Sequence, residues 1–209
     1  MTYTYEDAAW DEAYETMSRE LYPEHKTQAI SEFREERLRS FYTENPELLV
    51  PAAKAFKEAK ALFANGDHAA ALVFSASATE LFLKSSLLRP VVYGLIHNQA
   101  LADLVVPAAL SQSGYIRYEK LLAGLFRELT GVEIRTLKRT SGAKPLLEEA
   151  GDIQSIRNKV VHLGTEVSME QATMAIDVST EIFNQVLAKV LSNLGLTLET
   201  SGRLVAEEA

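Results

Sequence analysis

Apolar residues recur every three or four positions along most of this chain, and strict alternation is nearly absent, so the pattern predicts helices almost throughout. One run spans about 46–64, where Leu49, Ala53, Phe56, Ala59 and Phe63 share a stripe and Asn65-Gly66-Asp67 follows as a stop. Gly66 suits the left-handed C-terminal conformation, and Asp67 suits the cap of the next helix. That next helix, about 68–88, is the most buried in character, because Glu80 is its only charge between Asp67 and Lys84. A carboxylate in so apolar a run needs a partner. Lys84, one turn later, is the local candidate, and an ordinary pair at the edge of a bundle is the favoured account of both.

From 89 to 113 the sequence stays apolar but is broken by Pro90, Gly94 and Pro107, which predicts a turn and one or two short helices. Tyr115 to Leu129 has helical spacing, and a loop with Gly131, Gly142 and Pro145 follows. A further helix is expected from about 145 to 163, stopped by Gly164. Ser168-Met169-Glu170-Gln171 is a capping-box sequence that opens a long last helix reaching Leu194. Three parts result: an aromatic-rich helical arm over 1–45, a helical bundle over 46–198, and a flexible tail over 199–209. The arm holds eight of the seventeen aromatic residues, among them Trp10, Tyr14 and Phe33, set between many charges; such groups bury against the bundle or a partner.

At 209 residues and 47% apolar composition the chain can form one sizeable core. It has no cysteine, which removes disulfides, thiolate nucleophiles and zinc ribbons and suits a reducing cytoplasm. Four histidines scattered at 25, 68, 97 and 162 do not frame a structural zinc. No glycine-rich phosphate loop, Rossmann fingerprint or HExxH pair occurs, so neither a cofactor nor a resident metal is expected. No run of about 18 apolar residues stands out and the start is acidic, so no membrane association is expected.

The formal charge of −8 argues against a nucleic-acid partner, because non-specific affinity comes from cations neutralising phosphates. Its distribution changes the picture. Residues 115–144 carry 7 basic and 3 acidic side chains, a local +4 in an otherwise acidic chain. Arg135, Lys138, Arg139 and Lys144 in that stretch are candidates to guide an RNA backbone, against the alternative of a solvated loop.

The candidate chemistry lies just beyond. Arg157-Asn158-Lys159-Val160-Val161-His162 brings a permanent cation, an amide and a histidine within six residues. Cleaving RNA through its 2'-hydroxyl needs a group to take a proton and a cation to meet charge growing on the phosphoryl oxygens; histidine and arginine supply both. At about 100° per residue, Ile153, Ile156 and Val160 share one stripe, while Asn158 and His162 lie together on the opposite, polar side. Arg157 stands about 140° from His162 on the same arithmetic, so its side chain must bend round, or two copies of the helix must face each other across a twofold axis. His97 is a weaker candidate that nothing frames.

Two stretches together resemble the HEPN domain family: Glu58 to Asp67 running on to Ala78-Thr79-Glu80-Leu81-Phe82-Leu83-Lys84, and Arg157-Asn158 through His162. The second is similar to the family's signature of an arginine followed by a polar residue, with a histidine after four to six intervening positions. The resemblance implies an all-α, up-and-down HEPN-like bundle with an N-terminal helical extension, dimerised through its motif helices, and a metal-independent endoribonuclease. His162 would move the proton, Arg157 would hold the phosphate and Asn158 would orient one of them. RNA would be the substrate, and an antitoxin or sensor protein of a toxin or phage-defence system the partner. The rival expectation is a non-catalytic dimerisation or adaptor module, in which Arg157 and His162 hydrogen-bond across an interface.

Overall fold

The computed structural model describes residues 16, 28, 35–95, 100–101, 106–107 and 115–207. The chain divides into two compact units, Met1–Arg37 and Leu38–Ala209. The arm's aromatic residues from Tyr3 to Phe33 and the weaker candidate His97 lie outside the described residues. The end of the supposed arm belongs to the second unit: Leu38 and Tyr42, on a helix described over 35–44 (α1), are core residues.

The described residues are mostly helical. After α1 come α2 (Val50–Ala64), α3 (His68–Glu80), α4 (Arg89–Leu95), α5 (Glu119–Thr130), α6 (Leu146–Leu163), α7 (Met169–Glu181) and α8 (Ala188–Asn193). Pro51 sits in the first turn of α2, where a missing N–H costs nothing. Gly66 takes φ +85° as expected, but the Asp67 side chain makes no cap; backbone bonds from Gly66 and Asp67 to Phe63 and Leu62 close that turn instead. The Ser168–Gln171 capping box forms in full, and left-handed Gly164 ends α6.

The core is built around α3. It is buried on most of its circumference, through Ala71, Leu72, Ser75, Ala76, Ala78 and Thr79, and it packs against α2, α6 and α7. The stretch His68–Val91 is long and apolar enough by composition to cross a membrane, and 59% of its apolar 18-residue window is buried inside the bundle. Its alanines and serines spread the hydropathy so that no block of large apolar residues marks it.

Two departures from α geometry matter. Helix α3 does not stop near 88; it passes through a π-helical segment, Leu81–Leu88, into α4, so the predicted turn after Arg89 is helix. A second π segment, Ile182–Leu187, joins α7 to α8. The two π segments pack on one another, with the Phe82 and Phe183 rings 5.5 Å apart. Wider π turns are rare, and here they occur in register on neighbouring helices.

The expected loose tail is ordered. Leu196–Leu198 (β1) pairs antiparallel with Leu204–Ala206 (β2), burying Leu196 and Leu204 against the bundle. The Leu204 N–H donates to the Pro46 carbonyl at 2.8 Å, which ties the hairpin to the entrance of α2. Alternation over three residues was too short to register against the helical pattern around it.

Candidate functional site

The motif lies on α6, whose two halves differ. Leu146, Leu147, Glu149, Ala150 and Ile153 are buried, and they fix the first half of the helix in the bundle. Beyond Ile153 no residue of α6 is buried: Gln154, Ile156, Arg157 and Val160 are half-buried, and Asn158, Lys159, Val161, His162 and Leu163 are exposed. Ile156 still packs against the core, and from Asn158 onward the helix is exposed apart from half-buried Val160. Asn158 and His162 face solvent, as their spacing predicts.

Arg157 Nη1 donates to Asn158 Oδ1 at 3.0 Å. The guanidinium is thus drawn toward the face that Asn158 shares with His162, which is the bend a single helix requires. Apolar side chains surround this end of α6: Val161 is 53% exposed, Leu163 76%, and Met169 on the adjoining start of α7 57%. Isolated exposed apolar residues are ordinary; these three fall within nine positions of the sequence beside the polar motif.

The basic stretch divides by geometry. Arg139 is a structural residue, which corrects its assignment to an RNA guide: its side chain is 12% exposed, and it grips the buried Glu149 of α6 through Nε at 2.7 Å and Nη2 at 3.0 Å. A third bond reaches Asp177 on α7 at 3.4 Å. The Glu149 hydrogen bond, ahead of the other influences, raises the already high Arg139 pKa. Nothing in the sequence distinguished this arginine from its neighbours, because its partner is ten residues on and in a different element.

The remaining three are surface groups. Arg135 pairs with Glu119 at 3.0 Å, Lys144 with Asp152 at 2.7 Å, and Lys138 donates to the Ala143 carbonyl at 3.2 Å. The Asp152 hydrogen bond raises the Lys144 pKa. Exposed pairs of this kind are weak and can exchange a carboxylate for a phosphate. Glu80 and Lys84 are both half-buried where α3 enters its π segment, and both are engaged by neighbours.

Sequence reasoning passed over His68, the first residue of α3. Its ring lies 5.5 Å from Phe63, and its Nδ1 is buried without a hydrogen-bond partner. His68 also faces the start of α7: the Ser168 hydroxyl first, then a backbone N–H, and last His68 hold the Glu170 carboxyl below its ordinary range. Among the described residues no group of three or more His, Asp or Glu side chains is placed to hold a metal ion.

The fold and site thus define a mostly helical bundle with a polar Arg-Asn-His face on an emergent helix. No family model, curated protein or solved structure matches the chain.

Proposed function

We propose that this protein is a metal-independent endoribonuclease of the HEPN type, acting as a homodimer through α6 in a toxin or phage-defence setting. One observation carries the reading: Arg157, Asn158 and His162 occupy the part of α6 that leaves the core, with the guanidinium already turned to the Asn158 side. His162 would take the 2'-hydroxyl proton as that oxygen attacks phosphorus, and a protonated imidazole would supply the proton to the departing 5'-oxygen. Arg157 would meet the charge on the phosphoryl oxygens, with Asn158 holding the guanidinium in place. A 2',3'-cyclic phosphate and a 5'-hydroxyl would result. The exposed Val161, Leu163 and Met169 supply the apolar margin that a second copy would cover.

The test is cleavage of structured and single-stranded RNA by the purified protein in the presence of a chelator. Cleavage is expected, with His162→Ala reducing its rate at least about a hundredfold. Absence of any cleavage that this substitution removes overturns the reading.

A second reading is favoured by the same apolar margin together with the net charge of −8: a non-catalytic dimerisation or adaptor module. Under it, Arg157→Glu dissociates the dimer and there is no activity to lose. Under the first, Arg157→Ala keeps the dimer and abolishes cleavage. Size-exclusion chromatography of both variants beside the RNA assay separates the two.

A further inference from the structure

Among the described residues, cations without a carboxylate partner occur in the basic stretch, as at Lys138, and also in a row on α2. Arg135, Arg139 and Lys144 of the basic stretch are all ion-paired. On α2, by contrast, Lys54, Lys57 and Lys60 follow one another at three-residue intervals on the exposed side, and among the described residues none of them meets a carboxylate. Lys57 donates to the Thr200 carbonyl, and Lys60 Nζ lies 4.2 Å above the Phe56 ring. Among the described residues, none of the three is ion-paired, on a molecule whose formal total is −8.

Beside these lysines runs an open groove of about 710 Å3 between α2 and α3. Its lining is mostly apolar in exposed area, with Pro51, Ala55, Ala61 and Phe74 beside Lys54, Lys57 and Glu58. Phe74 is 39% exposed, although it belongs to the most buried helix of the bundle. Its neighbours Leu72, Ser75 and Ala76 are buried, so α3 reaches the surface here by presenting an aromatic ring.

We propose that this groove receives an acidic amphipathic helix of a partner protein. The apolar lining calls for large apolar side chains at helical spacing, the mode in which a helix lays one face into a groove. The unpaired lysines call for carboxylates along its flanks. On an acidic molecule much of the remaining surface disfavours such a partner, and the apolar groove beside the lysines distinguishes this face from the basic stretch. A second copy bound through the same face would set lysines against lysines. Nucleic acid fits less well, because Glu58 of the lining opposes phosphate and the alanines and proline there offer bases little to stack on. The inference is independent of the ribonuclease reading.

The test uses the full chain and a fluorescein-labelled synthetic helix of about four turns, with leucine and phenylalanine on one face and glutamate on the other. Its controls are the same peptide with lysine in place of glutamate, a scrambled sequence, and a labelled single-stranded RNA. Fluorescence anisotropy is expected to show saturable binding of the acidic amphipathic peptide alone. Phe74→Ser, Ala61→Arg and the pair Lys54→Glu with Lys57→Glu are each expected to weaken it at least about tenfold, with circular dichroism unchanged. Ala61 is exposed and its replacement leaves the core intact, so that variant decides the matter if Phe74→Ser unfolds. Failure of the acidic peptide to bind, equal binding by Ala61→Arg, or RNA binding that the lysine reversals abolish overturns the proposal. None of these outcomes touches the His162 assay.

Discussion

The Tyr42 hydroxyl donates to the Ser86 carbonyl at 2.6 Å in the interior, and Pro90 explains why that carbonyl needs a donor. Four residues on, where an α-helix would present an N–H to Ser86, stands a proline with none. The π geometry adapts by reaching further back, as the Arg89 N–H does to the Lys84 carbonyl. Tyr42→Phe removes the donor and leaves a buried carbonyl under-satisfied, for an expected loss of about 1–3 kcal/mol in urea denaturation. Burial also pushes the Tyr42 phenol well above its ordinary pKa. A raised phenol pKa in the folded state means that Tyr42 favours folding fully below its unfolded value of about 10. That contribution is lost as pH rises beyond it. The stability difference between wild type and Tyr42→Phe should therefore shrink on the alkaline side of about pH 10 and stay constant below it.

This contact also shows what the sequence could and could not disclose. The proline was legible and predicted a break; the tyrosine that lets the helix continue lies 44 residues earlier, on an element assigned to a separate arm. Local spacing determines α2, α6, the capping box at Ser168 and the solvent-facing placement of Asn158 and His162, and all of these were readable because they depend on periodicity within one element. Arg139, His68 and the hairpin after Leu196 depend on partners in other elements. Periodicity carries no information about those pairings, and a net charge summed over 115–144 does not distinguish a buried arginine from an exposed one.

The Arg139–Glu149 pair fastens the basic loop to the first turn of the motif helix. Removing the guanidinium strands a carboxylate that is 5% exposed, so Arg139→Met should cost about 3–5 kcal/mol, whereas Arg139→Met with Glu149→Leu recovers much of it. Gly142 closes over the same pair: a Cβ there would stand 3.0 Å from Glu149 Oε1 and 3.2 Å from Arg139 Cβ. Gly142→Ala should thus act through the clamp, destabilising wild type more than the double variant. Thermal unfolding of the four proteins checks this. Lys138→Ala and Lys144→Ala, which alter only surface contacts, should leave the unfolding midpoint essentially at the wild-type value.

At the other end of the unit, Gly202 holds the hairpin against α2. It has φ +89°, and a Cβ would come within 2.6 Å of the Ala53 Cβ and 3.2 Å of the Val50 Cα. Gly202→Ala should cost about 2 kcal/mol or more, from left-handed strain and overlap together. Adding Ala53→Gly relieves the overlap with one partner and leaves the strain and the Val50 contact, so rescue should be partial. Hydrogen exchange at the Leu204 N–H, bound to Pro46, reports the loosening directly.

Leu163, 76% exposed one residue beyond His162, separates assembly from chemistry. It faces solvent, so Leu163→Glu should leave the midpoint of unfolding unchanged. If α6 is the dimer contact, a carboxylate on each copy brings like charges together, and sedimentation should show dissociation by at least about tenfold in Kd. Were the cleavage slot built from both copies, RNA cleavage would fall in the same proportion and return at high protein concentration, because the missing component is the second helix. His162→Ala should behave oppositely, with an intact dimer and no recovery at any concentration. An equal mixture of the two variants distinguishes the arrangements further. Activity that tracks the small dimeric fraction of the Leu163→Glu chain means each slot draws on both helices, whereas activity equal to that of half as much wild-type protein means one helix suffices.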